Sequence, residues 1–384
     1  MINRRPVLAL AGLAGLAGLA ACTASPTPLP DPTTGSPSSS ASNPSSAPTT
    51  PDTTPSNSSV TSPNTPSGPT EVVRGLSAPW SIAFHGDTAL ISERDSGRIL
   101  EITATGTTRV VGAIQGVVHE GEGGLLGLAV RGDQLFVQFT TANDNRIVRH
   151  TLTGEGEPGA LSLTNPQPIL TGIPKAFTHN GGRLAFGPDG LLYATAGDAG
   201  NPSNAQDRAS LSGKILRMTA DGKPPSDNPF PGSLVYSLGH RNPQGLAWAP
   251  DGTMYAAEFG QNTWDELNVI SPGGNYGWPT TEGIAGRSGF IDPVQQWATD
   301  DASPSGIAIA GDAIWIANLK GQRLRRVPLS DTSSSSELFV GDETLGRLRD
   351  VVVAPDGALW VLTNNTDGRG SPRSGDDRVI SITP

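Results

Sequence analysis

Two histidines lie in loop-like strings rich in asparagine and glycine, where acid–base chemistry is often found. The first string is Thr178-His179-Asn180-Gly181-Gly182, and the second runs from Gly239 to Gly245 and contains His240. An imidazole titrates near neutral pH, so His179 is suited to accept a proton from a hydroxyl group. The alternative for a lone histidine is a ring whose hydrogen bonds the backbone satisfies. We expect His179 to be functional and His240 to be structural.

A second set of side chains is cationic. Arg241, Arg347 and Arg349 lie in loop strings, and Lys320 follows a predicted strand. The chain carries a formal net charge of −10, and clustered cations in such a protein persist only opposite an anion. A small, multiply negative ligand held by forked arginine hydrogen bonds is one counterpart. The other is a neighbouring carboxylate, as Asp350 could be for Arg349.

Carboxylate, amide and carbonyl groups complete the candidate chemistry. Glu122 and Asn242 lie in strings placed like the one that contains His179. The segment from Gly260 and Gln261 to Glu266, with the glycine-rich string around Tyr276, concentrates oxygen ligands of the kind that Ca²⁺ prefers. The spacing is not that of a known calcium loop. An equally good explanation of this segment is a long loop that two aromatic residues hold in place.

The loops that carry these side chains interrupt a repeat. Each copy has an apolar strand, an Asp-containing turn, a second strand and, after an insertion, a trailing strand that begins with a polar residue. The turns fall at Asp87, Asp133, Asp189, Asp251, Asp312 and Asp356. In the clearest copies, Pro presets φ, Asp caps the turn and Gly adopts positive φ. Six copies predict an all-β fold, a six-bladed β-propeller of four-stranded antiparallel blades, rather than a β-sandwich with coincidental hairpins.

The two ends of the repeat region predict a closed ring. The segment Glu71-Val72-Val73 is an unpaired strand before the first copy, and the chain stops soon after the last trailing strand. An N-terminal strand that completes the last blade would remove the open sheet edges. Equivalent loops of successive blades then converge on the axis, which would bring His179, Glu122 and the arginines together.

The first 22 residues are typical of a lipoprotein signal peptide. A basic start and a short apolar stretch precede Cys22, the one cysteine of the chain. Residues 23–69 are rich in Ser, Thr and Pro and predict a disordered tether, which leaves residues 70–384 for the propeller. We therefore expect an exported protein, lipid-anchored through Cys22 to the outer face of the cell membrane. The acidic balance without basic runs argues against nucleic acid as a partner.

These strings together resemble the glucose/sorbosone dehydrogenase family, over about residues 70–384. The matching strings include Gly121–Gly127, His179–Leu184, Gly197-Asp198, Gly213–Arg217, Gly239–Leu246, Trp264–Asn268, Gly273–Pro279 and Arg347–Val351. The resemblance implies a six-bladed propeller that oxidises an aldose sugar at C1 to the lactone. It also implies pyrroloquinoline quinone (PQQ), a tricarboxylate ortho-quinone, as hydride acceptor, Ca²⁺ as a second cofactor and an external electron acceptor.

The resemblance assigns a role to each candidate residue. His179 corresponds to the general base, while Glu122, Arg241, Asn242, Lys320, Arg347 and Arg349 correspond to PQQ contacts. The carbonyls of Gly260 and Gln261 fall where the family binds its active-site Ca²⁺, and Glu266 and Tyr276 where some members hold a structural Ca²⁺.

Two positions depart from the soluble glucose dehydrogenases. Glu122 replaces a glutamine, and a carboxylate beside an anionic cofactor costs affinity unless it is protonated or paired. Thr178 replaces an aspartate, which removes one possible orienting partner of His179. Two alternatives therefore stay open: a non-catalytic propeller that binds carbohydrate or another surface, and a metal-dependent lactone hydrolase built around an axial Ca²⁺.

Overall fold

The computed structural model describes residues 69–154, 159–340 and 344–384. Within these residues the strands form six sheets of four strands each, so the predicted all-β, six-bladed propeller is confirmed. A single short helix, α1 (Ser203–Gln206), interrupts the strands in the described part of the chain. No helix among these residues is long and apolar enough to cross a bilayer. The predicted signal peptide, Cys22 and nearly all of the predicted tether lie outside the described residues.

The strands of each blade follow one another in chain order from the axis outwards, after an initial strand β1 (Thr70–Arg74). Blade one comprises β2 (Pro79–His85), β3 (Thr88–Glu93), β4 (Arg98–Ile102) and β5 (Thr108–Ala113). Blade two comprises β6 (Leu125–Arg131), β7 (Gln134–Thr140), β8 (Asn145–Thr153) and β9 (Ser162–Ile173). Blade three comprises β10 (Leu184–Phe186), β11 (Leu192–Ala196), β12 (Lys214–Met218) and β13 (Val235–Leu238). Blade four comprises β14 (Pro243–Trp248), β15 (Met254–Glu258), β16 (Trp264–Ile270) and β17 (Gln295–Ala298). Blade five comprises β18 (Pro304–Ala310), β19 (Ala313–Asn318), β20 (Arg323–Pro328) and β21 (Ser336–Leu338). Blade six comprises β22 (Leu348–Val353), β23 (Leu359–Thr363) and β24 (Arg378–Ile382).

The ring closes as predicted. The first strand of each blade contacts the first strand of the next, and β22 returns to β2. Strand β1 is the outermost strand of blade six and pairs antiparallel with β24, with Thr70 opposite Ser381 and Arg74 opposite Arg378. The N-terminal strand thereby covers an edge that would otherwise expose unpaired backbone groups.

The predicted hairpin turns follow from local chemistry, most clearly between β10 and β11. The side chain of Asp189 accepts a hydrogen bond from the N–H of Leu191 at 3.0 Å, and Gly190 adopts φ +74°. Only glycine takes that backbone conformation without strain. The six predicted trailing strands are β4, β8, β12, β16, β20 and β24.

The hydrophobic core lies between adjacent blades rather than at the axis. Phe136 of β7 is fully buried and makes an edge-to-face contact with Phe186 of β10, with ring centroids 5.2 Å apart. Such burial of a large aromatic ring stabilises the fold by about 2–3 kcal/mol. Each blade therefore orients its neighbour, and the loops at the mouth inherit a rigid frame.

The antiparallel pairing of the first two strands fixes which loops meet. In blade four Pro243 lies opposite Glu258, and in blade six Leu348 lies opposite Thr363. We call the segment before the first strand of a blade its leading loop, and the segment after the second strand its second-strand exit. The two segments of a blade therefore lie at the same mouth of the ring. Both kinds of segment supply the candidate site.

Candidate active site

His179 is held in the leading loop of blade three in an unusual backbone conformation. Its φ is +60°, and its N–H donates to Oε2 of Glu122 at 2.8 Å. Gly181, two residues after His179, adopts φ +64°, and a Cβ there would lie 2.6 Å from the carbonyl oxygen of Thr195. The absence of a side chain at Gly181 therefore lets the loop pack against β11.

The His179 ring is anchored at one nitrogen and unpartnered at the other. Nδ1 lies 2.7 Å from Oδ1 of Asp198, a fully buried carboxylate in the second-strand exit of blade three. Nε2 has no hydrogen-bond partner among the described residues, and the ring stays 17% exposed. A carboxylate at Nδ1 fixes the tautomer in which Nε2 accepts a proton, as a general base requires.

Asp198 is itself held by two further donors. The Nε1–H of Trp278 donates to its Oδ2 at 2.8 Å, and the N–H of Gly200 donates to its Oδ1 at 2.8 Å. Charge-assisted hydrogen bonds of this kind fix the carboxylate in place. The orienting partner that Thr178 cannot supply is therefore present, but it comes from another loop.

Glu122 is an ionised and paired carboxylate. Its Oε1 accepts a hydrogen bond from Nη1 of Arg369 at 2.9 Å, and its Oε2 accepts from the N–H of His179. Burial favours the neutral acid, but Arg369 and the His179 N–H outweigh it and hold the pKa of Glu122 below its usual value. Asn242 joins this group, because its Nδ2 lies 3.5 Å from Oε2 of Glu122 and its Oδ1 accepts from the N–H of Gly181 at 3.0 Å.

Arg241 extends the group on the side of blade four. Its guanidinium lies over the ring of Trp278, 5.5 Å from the centroid, and Nη1 donates to the carbonyl of Gly260 at 2.5 Å. Burial lowers the pKa of Arg241, against the opposing effects of Asp198 and Glu258. Its Nε is buried and has no partner among the described residues.

The blade-six arginines form a cluster with excess positive charge. Arg347 donates to Oδ2 of Asp367 at 3.1 Å, and Arg349 lies 3.6 Å from the same atom. Burial, with smaller contributions from Arg347 and Arg94, lowers the pKa of Arg349 to about 9 against the opposing effect of Asp367. Arg94 is paired with Asp95 at 2.6 Å, so the Asp367 carboxylate faces two guanidinium groups, and an anion at this point would relieve their repulsion.

Asp350, the alternative partner considered for Arg349, pairs with another arginine instead. Asp350 points towards the axis, where its Oδ2 accepts from Nη1 of Arg183 at 2.9 Å. Arg183 also stacks on Trp80 at 4.5 Å from the ring centroid, and Arg349 donates to Gln244 at 2.9 Å. Among the described residues, guanidinium groups therefore lie at the axis of the ring. Their positive charge disfavours an axial Ca²⁺ and with it the lactone hydrolase alternative.

Lys320 lies in the second-strand exit of blade five, but the contacts of the described residues do not join it to the His179 group. Its ammonium pairs with Asp300, and both side chains are largely exposed. Among the cations predicted from the sequence, Lys320 is thus the one whose partner is a solvated surface carboxylate.

Three carboxylates surround a small cavity beside Arg241. Glu258, Glu266 and Glu282 line a space of about 10 Å³, near the volume of a single water molecule or ion. Burial, and then the nearby Glu258 carboxylate, raise the pKa of Glu266 to about 8. A cation next to Glu266 would remove that penalty.

The other predicted calcium ligands fit less well. The Tyr276 hydroxyl donates to the carbonyl of Val269 at 2.6 Å and accepts from the N–H of Ser271 at 2.8 Å, so its side-chain oxygen is engaged elsewhere. The Gly260 carbonyl accepts from Arg241, so a metal ion on this oxygen would lie beside a guanidinium that repels it. Gln261 donates its N–H to Glu282 at 2.7 Å. No group of three or more acidic, His or Cys side chains in the described residues is arranged as a metal site.

His240 is structural, as predicted. The ring is completely buried, Nδ1 lies 2.7 Å from Glu258 and Nε2 lies 2.8 Å from the hydroxyl of Ser237. Its ring also stacks on Tyr276, with centroids 4.8 Å apart. Both nitrogens are satisfied, and neither is available to a ligand.

Sequence reasoning assigned no role to the residues that support the site. They share one position in the repeat, the second-strand exit or the end of the second strand: Arg94, Asp198, Glu258, Asp367 and Arg369. The predicted turns contained the necessary signal, because the end of the second strand of a hairpin must lie beside the start of the first.

Comparisons with known proteins identify the family of this chain. The sequence model of the Glucose / Sorbosone dehydrogenase family matches residues 76–371. The chain is 34% identical over 256 residues to quinoprotein glucose dehydrogenase B of Acinetobacter calcoaceticus, an alignment that covers 57% of this chain and 54% of that protein. It thus spans about half the length of that relative. It is 28% identical over 340 residues to aldose sugar dehydrogenase YliI of Escherichia coli K12, covering 78% of this chain and 91% of the relative.

A solved structure is similar over nearly its whole length. The PQQ-bound form of aldose sugar dehydrogenase from Streptomyces coelicolor superposes with a TM-score of 0.78 and 48% sequence identity. The match covers 84% of this chain and 99% of that one.

Proposed function

This chain belongs to the Glucose / Sorbosone dehydrogenase family, and we propose that it is a PQQ-dependent enzyme that oxidises an aldose sugar at C1 to the lactone. One observation carries the proposal: Asp198 anchors His179 at Nδ1, 2.7 Å away, while Nε2 stays unpartnered among the described residues at a mouth rich in cations. A base and an excess of positive charge at the same mouth suit the oxidation of a hydroxyl group with an anionic cofactor.

The chain's own part of the reaction is proton transfer. Nε2 of His179 accepts the proton of the C1 hydroxyl, and Asp198 stabilises the imidazolium that forms. Trp278 keeps Asp198 in position, and the bond from the His179 N–H to Glu122 keeps the loop in its left-handed conformation. Loss of the proton strengthens the tendency of C1 to release hydride.

The residues present fit PQQ. When bound, PQQ supplies the electrophilic quinone that takes the hydride. Arg241 and Asn242 would face the quinone oxygens, while Arg347 and Arg349 would face the carboxylates. Lys320 would have to leave Asp300 to join them. Glu122 is compatible because Arg369 already neutralises it.

Calcium belongs to the proposal at Glu266 rather than at Gly260. The raised pKa of Glu266 and the nearby Glu258 favour a bound cation, in a small space that Tyr276 also lines. We expect Ca²⁺ to raise the midpoint of thermal unfolding of the chelator-treated chain, because a ligand that binds only the folded state stabilises it. Glu266→Gln should reduce that rise. An equal rise in both proteins would remove Glu266 as a ligand.

Export and anchoring are a separate proposal that rests on the sequence around Cys22. In a bacterial host, labelled fatty acid should enter the wild-type chain and not Cys22→Ser, and the variant should appear in the medium. Equal labelling of both chains would contradict the anchor. An anchored enzyme of this kind passes its electrons to an acceptor outside the cytoplasm.

The test of the enzymatic proposal is reconstitution. The purified chain is loaded with PQQ and Ca²⁺, aldoses are added and the reduction of an artificial dye is followed. We expect dye reduction that depends on both sugar and PQQ, with one lactone formed per two electrons. No PQQ binding at micromolar cofactor would overturn the proposal and leave the non-catalytic binding propeller.

A further inference from the structure

The leading loop of blade three carries a large exposed aromatic side chain, Phe177, two residues before His179. Phe177 is 61% exposed, more than any other large apolar residue in the described part of the chain. The His179 ring is 17% exposed, so the proposed base lies deeper in the mouth than Phe177. A single exposed apolar residue is common on protein surfaces. Phe177 is distinguished by its place beside the base and by how firmly its loop is held.

Hydrogen bonds fix the backbone around Phe177. Its carbonyl oxygen accepts from the N–H of Glu122 at 2.8 Å. The preceding residue, Ala176, donates its N–H to Oδ1 of Asn180 at 3.1 Å, and its carbonyl accepts from Nδ2 of the same side chain at 2.8 Å. The loop therefore presents the aromatic ring in one backbone conformation, and a ligand that covers the ring does not have to order the loop.

The Phe177 ring lies against the backbone of Gly121. A Cβ at Gly121 would lie 2.8 Å from Cγ of the ring and 2.1 Å from the Phe177 carbonyl oxygen. Gly121 also adopts φ +61°, a conformation that glycine takes without strain. The turn that leads into Glu122 thus supports the ring from one side, while Phe177 as a whole stays largely exposed.

The same Glu122 holds a guanidinium that keeps further donors. Nη1 of Arg369 donates to Oε1 of Glu122 at 2.9 Å, whereas Nε and Nη2 of Arg369 have no hydrogen-bond partner among the described residues. The Arg369 side chain is 48% exposed. A planar guanidinium can bind two neighbouring oxygen atoms of a ligand at once. Because Glu122 already neutralises Arg369, the pair favours hydroxyl groups over an anion.

A supported aromatic ring and a neutralised guanidinium on one carboxylate suit a sugar ring. A pyranose has a face of C–H groups and an edge of hydroxyl groups. Its C–H face removes the apolar surface of Phe177 from water, and its hydroxyl groups accept hydrogen bonds from Arg369. A purely apolar ligand would leave the guanidinium donors unused, and an anion would be repelled by Glu122. The chemistry of the two side chains therefore selects a neutral carbohydrate.

The position of Phe177 relative to His179 decides which ring of a substrate lies here. The sugar that is oxidised must bring its C1 hydroxyl to Nε2 of His179, in the deeper part of the mouth. Two residues of backbone span at most about 7 Å, so Phe177 is within reach of the next sugar residue. We propose that Phe177 and Arg369 form an outer subsite for the second ring of a di- or oligosaccharide aldose. This inference rests on the proposed function and names its substrate class.

Binding is measured on the full chain without turnover, with maltotriitol and cellotriitol as probes. Each is a trisaccharide whose reducing end is an open-chain alcohol, and the two differ in linkage. Saturation-transfer NMR should show that at least one binds, that Phe177→Ala weakens this binding roughly tenfold and that Phe177→Tyr retains it. The matched control is Val353→Ala, because Val353 is also exposed but lies at the end of β22 remote from the mouth. It should leave the affinity unchanged.

Turnover of the PQQ-loaded enzyme supplies a second measurement. Phe177→Ala should raise the KM for maltose or cellobiose roughly tenfold and leave kcat and the KM for glucose unchanged. Arg369→Gln should raise the same disaccharide KM about threefold through the lost hydrogen bonds.

The outcomes separate the subsite from the enzymatic function. Binding of neither trisaccharide alcohol, equal weakening by Phe177→Ala and Val353→Ala, or equal changes in the KM for glucose and for the disaccharides overturns the inference. If no sugar reduces the dye while Phe177→Ala still weakens binding of a trisaccharide alcohol, the enzymatic proposal fails and the subsite stands. If glucose is oxidised and Phe177→Ala changes no disaccharide KM, the enzyme stands and the subsite is wrong.

Discussion

His179 and His240 share a local arrangement and differ in one atom's surroundings. Each ring is 2.7 Å from a buried carboxylate through Nδ1, Asp198 in one case and Glu258 in the other. Nε2 of His240 is bonded to Ser237, while Nε2 of His179 has no partner among the described residues. His240 is fully buried, and His179 is 17% exposed.

The difference teaches where function resides in such a pair. A carboxylate at Nδ1 orients either ring, but only a ring with an available second nitrogen can take up a substrate proton. Ser237 turns the His240 arrangement into a structural cross-link between β13, the blade-four leading loop and β15. The matched substitution His→Asn at the two positions therefore separates catalysis from stability.

The largest effect is expected at His179. Asparagine tolerates the left-handed backbone found there, so His179→Asn should fold normally. Loss of the base should lower kcat by roughly 10²–10⁴-fold, because no other group accepts the proton. Stopped-flow dye reduction measures the rate, and PQQ titration should show unchanged binding. A residual rate above about a tenth of the wild-type value would contradict the assignment.

The orienting carboxylate comes next. Asp198→Asn removes the charge that stabilises the imidazolium and should lower kcat by about 10²–10³-fold with little change in the KM for the sugar. Trp278→Phe keeps the charge of Asp198 and an aromatic ring beneath Arg241 but removes the 2.8 Å hydrogen bond to Asp198, so a loss near tenfold is expected. A larger loss for Trp278→Phe than for Asp198→Asn would show that geometry matters more than charge.

His240→Asn should instead affect stability. It leaves the buried Glu258 and Ser237 with an incomplete set of partners, so the free energy of unfolding should fall by about 2–4 kcal/mol. Urea unfolding of both Asn variants measures the contrast, with a change below about 1 kcal/mol expected for His179→Asn. If kcat per folded molecule also falls for His240→Asn, the separation of roles is wrong.

The smallest effect concerns the pair that braces the His179 backbone. Arg369→Gln should lower stability by less than about 1 kcal/mol, because the Arg369 side chain is 48% exposed. The folded-state pKa of Glu122 is lowered, so its contribution is present at neutral pH and is lost as the pH falls through that pKa. The difference in unfolding temperature between wild type and Arg369→Gln should therefore shrink between about pH 7 and pH 3. A difference that stays constant with pH would show that Arg369 does not stabilise the protein through Glu122.

Most of the fold could be predicted from the sequence. The Asp-containing turns, such as the one at Asp189, encode hairpins locally, and their number encodes the blade count. The strand Thr70–Arg74 was recognisable because it had no partner nearby in the sequence. These features depend on backbone conformation and on the alternation of apolar side chains, which neighbouring residues determine.

The candidate site was predictable only in part. The leading-loop residues Glu122, His179 and Asn242 do meet, since equivalent loops of a closed ring converge. The roles of Asp198, Asp367 and Arg369 were not visible, because each acts on a residue from another loop. The assignments of His179 as base, of Arg241 and Asn242 as cofactor contacts and of Glu266 as a metal ligand remain predictions that the experiments above address.

The sequence by itself determined the ring and the chemical types gathered at its mouth. Only the tertiary structure decided which nitrogen stays available, which carboxylate meets which arginine and why Lys320 stays outside the His179 group. The physical reason is distance along the chain: turn geometry is set within a few residues, whereas the Asp350–Arg183 pair joins residues 167 positions apart. Such contacts exist only after the blades have closed around the axis.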